Sequence, residues 1–321
     1  MIDDSLSPGH KGLFAENYGT IEKLHVRGQM AVSSQDVAGF IAVNNHGTIK
    51  NCSAGSGSID EMIFPIRYSN IISGGIAGYN YGTVEGCVNL GGITSANNSG
   101  GIVGYNAGTI TKSYNTGNIY GEQFAGGITA YNEQGSITKT YNTGNITSYN
   151  GTSTGGIAGY AEGGVIENSY NTGDINGYFS TGGVVGYLDD GVIAYCYNTG
   201  EVHGGYSTCG IAGQYYGNTG SEISNSLSLG KYLSSVARGA RVFCGSGFFS
   251  GNKARSDMVA TVAGIYTNDG IDVTLGTALS SVFSGWNTGI WSIPNSSLLP
   301  NGTLPVLLNM PTGTQNPLLT P

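Results

Sequence analysis

A repeat of about 27 residues constrains this chain more than any other feature. Gly-Gly followed by Ile or Val begins successive copies 26 to 29 residues apart, at Gly74, Gly100, Gly126, Gly155 and Gly182, and Cys209-Gly-Ile continues the series. Weaker copies begin at Lys11 and Ala38, and an insertion near residues 61–69 lengthens the interval before Gly74. Residues 11–235 therefore contain about eight copies of one structural unit.

The unit itself favours β-structure. Each copy contains three short β-prone segments separated by Asn and Gly turns. It carries no helical apolar stripe, and a four-stranded propeller blade needs roughly 40 residues or more. We predict an all-β fold, a right-handed parallel β-helix with three strands per coil and about eight coils. Three apolar columns, beginning at Ile76, Val84 and Ile93, are expected to form its core.

The flanking segments differ in composition from the repeats. Residues 1–10 are a lead-in, and residues 236–310 are expected to cap the open end of the last coil with Trp286, Trp291 and Leu307. Residues 311–321 are expected to be a linker or tail. No signal peptide or membrane span is predicted. Because repeat sequence starts almost at once, we expect this chain to be part of a larger protein.

The charge balance argues against nucleic acid as a partner. The chain has 12 Lys and Arg against 20 Asp and Glu, a net charge of −8, and its basic residues are scattered. Phosphate binding depends on clustered basic side chains.

The five cysteines form no Cys-x-x-Cys pair and indicate neither a disulfide framework nor a zinc site. Cys52, Cys87 and Cys196 share one repeat position with Ser and Thr residues and are expected to be small buried side chains. A disulfide between Cys209 and Cys244 is left open.

The repeat resembles a known family. Gly-Gly-Ile-Val-Gly-Tyr-Asn at 100–106 and Ser-Tyr-Asn-Thr-Gly at 113–117 resemble the GLUG repeat of bacterial surface proteins, over residues 11–235. That family includes adhesin-like proteins and the non-catalytic part of immunoglobulin A proteases, so the resemblance implies an extracellular or cell-surface location. Protease chemistry is not transferred, because HExxH is absent and the four histidines lie far apart. No catalytic residue and no metal ligand set is identified.

Two aromatic columns are candidates for ligand binding. Tyr114, Tyr141, Tyr170 and Tyr197 precede Asn-Thr-Gly in consecutive copies, and a second tyrosine column, from Tyr79 to Tyr187, follows the Gly-Gly strand. Stacked tyrosines suit a glycan or a host or surface protein. The alternative interpretation is that the rings only stabilise parallel coils.

Acidic residues form two further candidate columns. Glu133, Glu162 and Asp189 occupy one turn, and Asp174 lies one coil from Glu201 in another. Carboxylates paired in this way suit Ca²⁺ or acid–base chemistry on a glycoside. The alternative is a set of solvated turn residues, and no other cofactor is expected.

The preferred function is a non-catalytic bacterial surface or secreted module that acts in adhesion or as a stiff spacer. The competing class is a β-helix polysaccharide lyase or glycoside hydrolase, whose site would be assembled from distant coils. Ice binding through the threonines of the Asn-Thr column, which begins at Asn115-Thr116, is a third alternative.

Overall fold

The computed structural model describes residues 9–32, 36–55, 59–61, 71–95, 97–218, 220–262, 269–294, 298–300, 303–311 and 315–319. The chain winds through nine coils, and each coil passes through five short strands. Strands at equivalent positions pair in parallel with the next coil, which creates five long sheets that we number 1 to 5 in chain order. The predicted insertion near residues 61–69 lies outside the described residues apart from Glu61.

The five sheets consist of very short strands. Sheet 1 contains His10–Lys11, Val37–Gly39, Ile72–Gly74, Asn98–Gly100, Phe124–Gly126, Ser153–Gly155, Ser180–Gly182, Ser207–Cys209 and Arg238–Ala240. Sheet 2 contains Phe14–Asn17, Ala42–Asn45, Ala77–Asn80, Val103–Asn106, Thr129–Glu133, Ala158–Glu162, Val185–Asp189, Ala212–Tyr216 and Phe243–Ser246. Sheet 3 contains Thr20–Glu22, Thr48–Lys50, Thr83–Glu85, Thr109–Thr111, Ser136–Thr138, Val165–Glu167, Val192–Ala194, Glu222–Ser224 and Phe248–Ser250. Sheet 4 contains His25–Val26, Ser53–Ala54, Val88–Asn89, Tyr114–Asn115, Tyr141–Asn142, Tyr170–Asn171, Tyr197–Asn198, Leu227–Ser228, Lys253–Arg255 and Ile271–Val273. Sheet 5 contains Met30–Val32, Ile59–Glu61, Ile93–Ser95, Ile119–Gly121, Ile146–Thr147, Ile175–Asn176, Val202–Gly204, Tyr232–Ser235 and Val259–Val262.

The prediction of an all-β parallel solenoid is confirmed, but the strand and coil counts differ from it. Each coil has five strands instead of three, because the Gly-Gly pair forms a corner between sheets 1 and 2 and the Cys/Ser position forms another between sheets 3 and 4. Residues 236–262, expected to belong to the cap, instead complete the ninth coil. That coil has Ala240-Arg241 where the repeat has Gly-Gly, so the sequence signature is lost there.

The core is a column of small and β-branched side chains. All three predicted columns, which begin at Ile76, Val84 and Ile93, are buried in the main hydrophobic cluster or beside it. Cys52, Cys87 and Cys196 are also buried, as predicted from their interchange with Ser and Thr. Parallel strands stack about 4.8 Å apart, so nine coils form a rod roughly 40 Å long.

Two asparagine ladders fix the register of neighbouring coils. In sheet 2, each asparagine from Asn17 to Asn106 donates its side-chain amide to the asparagine of the next coil, at 2.7 Å. In sheet 4 the ladder runs from Asn89 to Asn198, with steps of 2.7 or 2.8 Å. Its members also donate to a turn carbonyl two residues on, as Asn142 does to Gly144 O at 2.7 Å. The column also satisfies N–H groups of the turns, as Asn115 Oδ1 accepts a hydrogen bond from Gly117 N at 3.2 Å.

The C-terminal segment packs against the side of the solenoid. After Ile271–Val273 the chain forms a short helix, Leu279–Val282, and an antiparallel pair, Trp291–Ser292 with Val306–Leu307. These elements bury their apolar side chains against the outer face of sheet 4. Phe248 and Phe249 in the last coil stay 58% and 54% exposed, so the expected cover over the coil end is not observed there. Leu319, in the expected linker, is buried as well.

A disulfide joins Cys209 in sheet 1 of the eighth coil to Cys244 in sheet 2 of the ninth coil, with their Cα atoms 6.1 Å apart. It therefore ties together the last two coils. No helix in the described part of the chain is long and apolar enough to span a membrane.

Candidate functional site

The first predicted tyrosine column lies beneath the C-terminal segment. Tyr114, Tyr141, Tyr170 and Tyr197 stack almost parallel along sheet 4, with ring centroids 4.6 to 5.0 Å apart. None of the four is more than 5% exposed. A ligand therefore has no access to these rings while the segment is in place.

Specific polar contacts hold the segment on this column. The Tyr197 hydroxyl donates to Pro305 O at 2.7 Å, and the Tyr170 hydroxyl donates to Gln315 Oε1 at 3.0 Å. The indole N–H of Trp291 donates to Asn168 Oδ1 at 3.0 Å. Burial raises the pKa of Tyr170, so its hydroxyl stays protonated and remains a donor. The column is thus the docking surface for the chain's own C-terminal segment.

The second tyrosine column lies on the outer face of sheet 2 and is only half-buried. Its members are Tyr79, Tyr105, Tyr131, Tyr160 and Tyr187. Neighbouring ring centroids are 5.0 to 5.3 Å apart, and the last four rings lie within 14° of parallel. Stacking occupies the faces of the inner rings, so this surface presents ring edges and hydroxyl groups.

The predicted acidic column borders these tyrosines at the end of sheet 2. Glu133, Glu162 and Asp189 are aligned on successive coils. The hydroxyls of Tyr105 and Tyr131 donate to the carboxylates of Glu133 and Glu162, and Tyr160 donates to Asp189 Oδ2 at 3.2 Å.

These contacts leave negative charge on the surface. Burial, with help from the neighbouring carboxylates, raises the pKa of Tyr105, Tyr131 and Tyr160, so these hydroxyl groups stay protonated and remain hydrogen-bond donors. We call the five tyrosines and three acids the tyrosine–carboxylate face. Ca²⁺ binding there stays a prediction, and within the described ranges no group of three or more His, Cys, Asp or Glu side chains is arranged to hold a metal.

The second acidic pair serves a backbone ladder. Asp174 Oδ1 accepts a hydrogen bond from Glu201 N at 2.9 Å, as Asn145 Oδ1 does from Asp174 N at 3.0 Å. Glu201 Oε2 lies 3.1 Å from His203 Nε2, and His203 Nδ1 lies 2.8 Å from Ser234 Oγ. Asp174 and Glu201 precede sheet 5, whereas Glu133 and its neighbours end sheet 2. The structure therefore places the two acidic sets at different corners of the coil.

The Asn-Thr column does not form a uniform threonine surface. Thr116 and Thr143 are exposed, Thr172 is half-buried and Thr199 is buried. Each follows a two-residue strand of sheet 4 at a coil corner.

The structure also contains an exposed aromatic cluster that the repeat pattern did not predict. Tyr178, Phe179 and Tyr206 contact one another in the turns between sheets 5 and 1, and Tyr149 occupies the same turn one coil earlier. We call these four residues the aromatic corner. Aromatic residues in turns that are otherwise polar were the available signal, but they do not recur at one fixed repeat position.

The fold and its outer surfaces define a parallel β-solenoid protein with a C-terminal segment packed along one side. The model of the GLUG motif matches residues 150–176 and 177–202, each about one coil long. The predicted resemblance to GLUG-repeat proteins is thereby confirmed for these two coils.

Comparison with other proteins adds one solved structure. A search of curated protein sequences finds no match. Among solved structures the chain is similar to a protein from Bacteroides ovatus described as a "putative immunoglobulin A1 protease", at 18% identity and a TM-score of 0.40. The similarity covers 88% of this chain and 74% of the other.

Proposed function

We propose that this chain is a non-catalytic module of a secreted or cell-surface bacterial protein and acts in adhesion through its tyrosine–carboxylate face. The observation that carries the proposal is the continuity of this face. It places five tyrosines and three carboxylates in register on the outside of a rigid rod. The C-terminal segment covers sheet 4 and leaves this face accessible.

The arrangement of the acids supports binding rather than catalysis. A glycosidase needs two carboxyl groups placed on either side of one scissile bond, with pKa values that differ. Here the acids of sheet 2 lie in one row and accept hydrogen bonds from tyrosines, and Asp174 accepts a backbone N–H.

The disulfide and the repeat family support a location outside the cell. Disulfides such as Cys209–Cys244 persist in oxidising compartments and are rare in the cytosol. The GLUG match to residues 150–202 agrees with the surface location that the resemblance implies.

The chemistry of the face favours a protein partner with exposed Lys or Arg side chains. Glu133 and Glu162 are exposed, and the chain as a whole carries a net charge of −8. Opposite charges across an interface raise the association rate and select the partner. Tyrosine hydroxyls and ring edges supply further contact area at low entropic cost.

Binding to immobilised fibronectin, laminin and mucin at low and physiological salt tests the proposal. A double variant, Glu133→Gln with Glu162→Gln, keeps an acceptor for each tyrosine hydroxyl but removes two charges. We expect it to bind at least tenfold more weakly and to lose most of the salt dependence. The matched control is Glu22→Gln with Glu167→Gln on sheet 3, which removes the same charge from another surface.

Each outcome bears on the proposal. Weakening by the sheet 2 variant alone supports it. Equal binding by both variants means that another surface makes the contact, and no binding of the wild-type chain to any of the three proteins favours a spacer role.

A further inference from the structure

The aromatic corner differs in geometry from both tyrosine columns. Tyr178 stands nearly perpendicular to Phe179 and Tyr206, at 82° and 80°, with centroids 4.9 and 5.5 Å away. Phe179 and Tyr206 lie 19° from parallel at 5.0 Å. Tyr149, one coil before Tyr178, is 78% exposed. The rings of sheet 2 are stacked, whereas the rings of this cluster have two different orientations and are open to solvent.

An exposed cluster of this kind needs an explanation. Single apolar residues on a surface are ordinary, whereas aromatic residues gathered on consecutive coils mark a contact site. The three clustered rings are 39% to 48% exposed although they touch one another. They lie in turns, where packing between coils does not require an aromatic residue.

Polar side chains of sheet 5 border the cluster. Asn176, His203 and Ser234 occupy one outward column on successive coils. Asn176 is exposed and is separated from Tyr178 by a single residue, and His203 lies three residues before Tyr206. His203 also contacts the Glu201 carboxylate at 3.1 Å, which orients the ring and provides an acceptor. An amide, an imidazole and a carboxylate together offer donors and acceptors suited to adjacent hydroxyl groups.

We propose that the aromatic corner and its polar border bind a neutral oligosaccharide. The apolar face of a sugar ring packs on an open aromatic ring, and its hydroxyl groups reach Asn176 and His203. Coils repeat about every 4.8 Å, which is close to the length of one sugar unit, so neighbouring units of a glycan meet rings on neighbouring coils. This site is separate from the tyrosine–carboxylate face and does not depend on the function proposed for it.

Charge selects against acidic glycans. Glu201 lies beside His203, and Glu122 is exposed in the equivalent turn two coils before Tyr178. With a net charge of −8 on the chain, a sulfated or carboxylated polysaccharide would be repelled.

An array of neutral and acidic glycans tests the inference on the intact chain. We expect binding to neutral hexose or N-acetylhexosamine oligomers, and at least a tenfold loss of affinity in a Tyr178→Ala, Tyr206→Ala double variant. Tyr18→Ala is the control, because Tyr18 is even more exposed, at 76%, but lies between sheets 2 and 3. Asn176→Ala leaves every ring in place and is expected to weaken the same interaction.

The array also separates this site from the tyrosine–carboxylate face. Neutral glycan binding that survives both corner variants overturns the inference, as does a preference for acidic glycans or the absence of any glycan binding. Glycan binding that is lost in the corner variants but kept in the Glu133→Gln, Glu162→Gln variant supports it. Loss of protein binding alone concerns only the function proposed above.

Discussion

Replacing Asn142 by Ala tests whether the buried asparagine ladder stabilises the solenoid. Asn142 accepts from Asn115 Nδ2 and donates to Asn171 Oδ1 and Gly144 O, each at 2.7 Å, and it is fully buried. Alanine removes all three hydrogen bonds. Asn115 keeps its bond to Gly117 O, so the main losses fall on Asn171 Oδ1 and Gly144 O. At about 1–3 kcal/mol for each of these two buried groups left unsatisfied, we expect the free energy of unfolding to fall by about 2–6 kcal/mol.

Urea unfolding followed by circular dichroism measures this loss, with Asn118→Ala as the control. Asn118 Oδ1 accepts a hydrogen bond from Asn145 N at 3.0 Å, but the contact is exposed to solvent. Water replaces an exposed partner, so we expect Asn118→Ala to cost less than about 1 kcal/mol. A loss below about 1 kcal/mol for Asn142→Ala, or equal losses for both variants, would refute the reasoning, because burial would then not govern the contribution of the ladder.

Three further perturbations act on other parts of the molecule. Trp291→Ala removes a buried anchor of the C-terminal segment and should lower the free energy with which the segment packs on sheet 4 by about 3–5 kcal/mol. The loosened segment should then be cleaved in limited proteolysis, with new cleavage sites confined to residues after 273. Reduction of Cys209–Cys244 should lower the free energy of unfolding by about 2–4 kcal/mol, measured by urea unfolding with and without reductant. The hydrogen bond from Arg255 lowers the pKa of Asp257 from 3.8 to about 2, so the stability that ionised Asp257 contributes is present above its unfolded pKa. It is lost as the pH falls from about 4 towards 2, and Asp257→Asn should flatten that part of the stability profile.

The repeat predicted the interior of the solenoid well, because the inward positions carry the same type of residue in nearly every copy. One apolar residue per segment had to point inward, and Ile76, Val84 and Ile93 begin columns that do so. The number of strands per coil was harder to predict. Strands of two or three residues, such as Tyr114–Asn115, have no measurable alternation and are not distinguished from turns by sequence pattern.

The orientation of the tyrosine columns was not available from the sequence for the same reason. Tyr141 and Tyr131 both sit in repeated β-prone segments, yet Tyr141 is buried under the C-terminal segment and Tyr131 is half-exposed. The difference depends on contacts between residues more than 100 positions apart, such as Tyr197 with Pro305. A repeat period contains no information about such contacts.

The C-terminal segment and the first tyrosine column each cover the exposed apolar surface of the other. An outward column of stacked tyrosines leaves a long apolar strip on sheet 4, and a segment rich in Trp and Leu leaves an apolar surface without a core of its own. Each is unfavourable in water alone, and packing them together buries both. This pairing, which was open to inference from composition, explains why Trp286 and Trp291 lie on the side of the rod while Phe248 remains exposed at its end.

This packing also determines which surfaces are available for recognition. Because the C-terminal segment occupies sheet 4, partners have access to the outer face of sheet 2 and to the turns between sheets 5 and 1. The first surface repeats one tyrosine per coil over five coils and adds one acid per coil on the last three of them, which suits a long contact with one protein. The second concentrates rings of different orientation in a few coils, which suits a short ligand such as a glycan. The two GLUG matches, residues 150–176 and 177–202, contain members of both surfaces, including Tyr160 and Tyr178. The two coils that match the GLUG motif therefore present both candidate surfaces, because the repeat fixes the interior and leaves the outward and turn positions free to differ in chemistry.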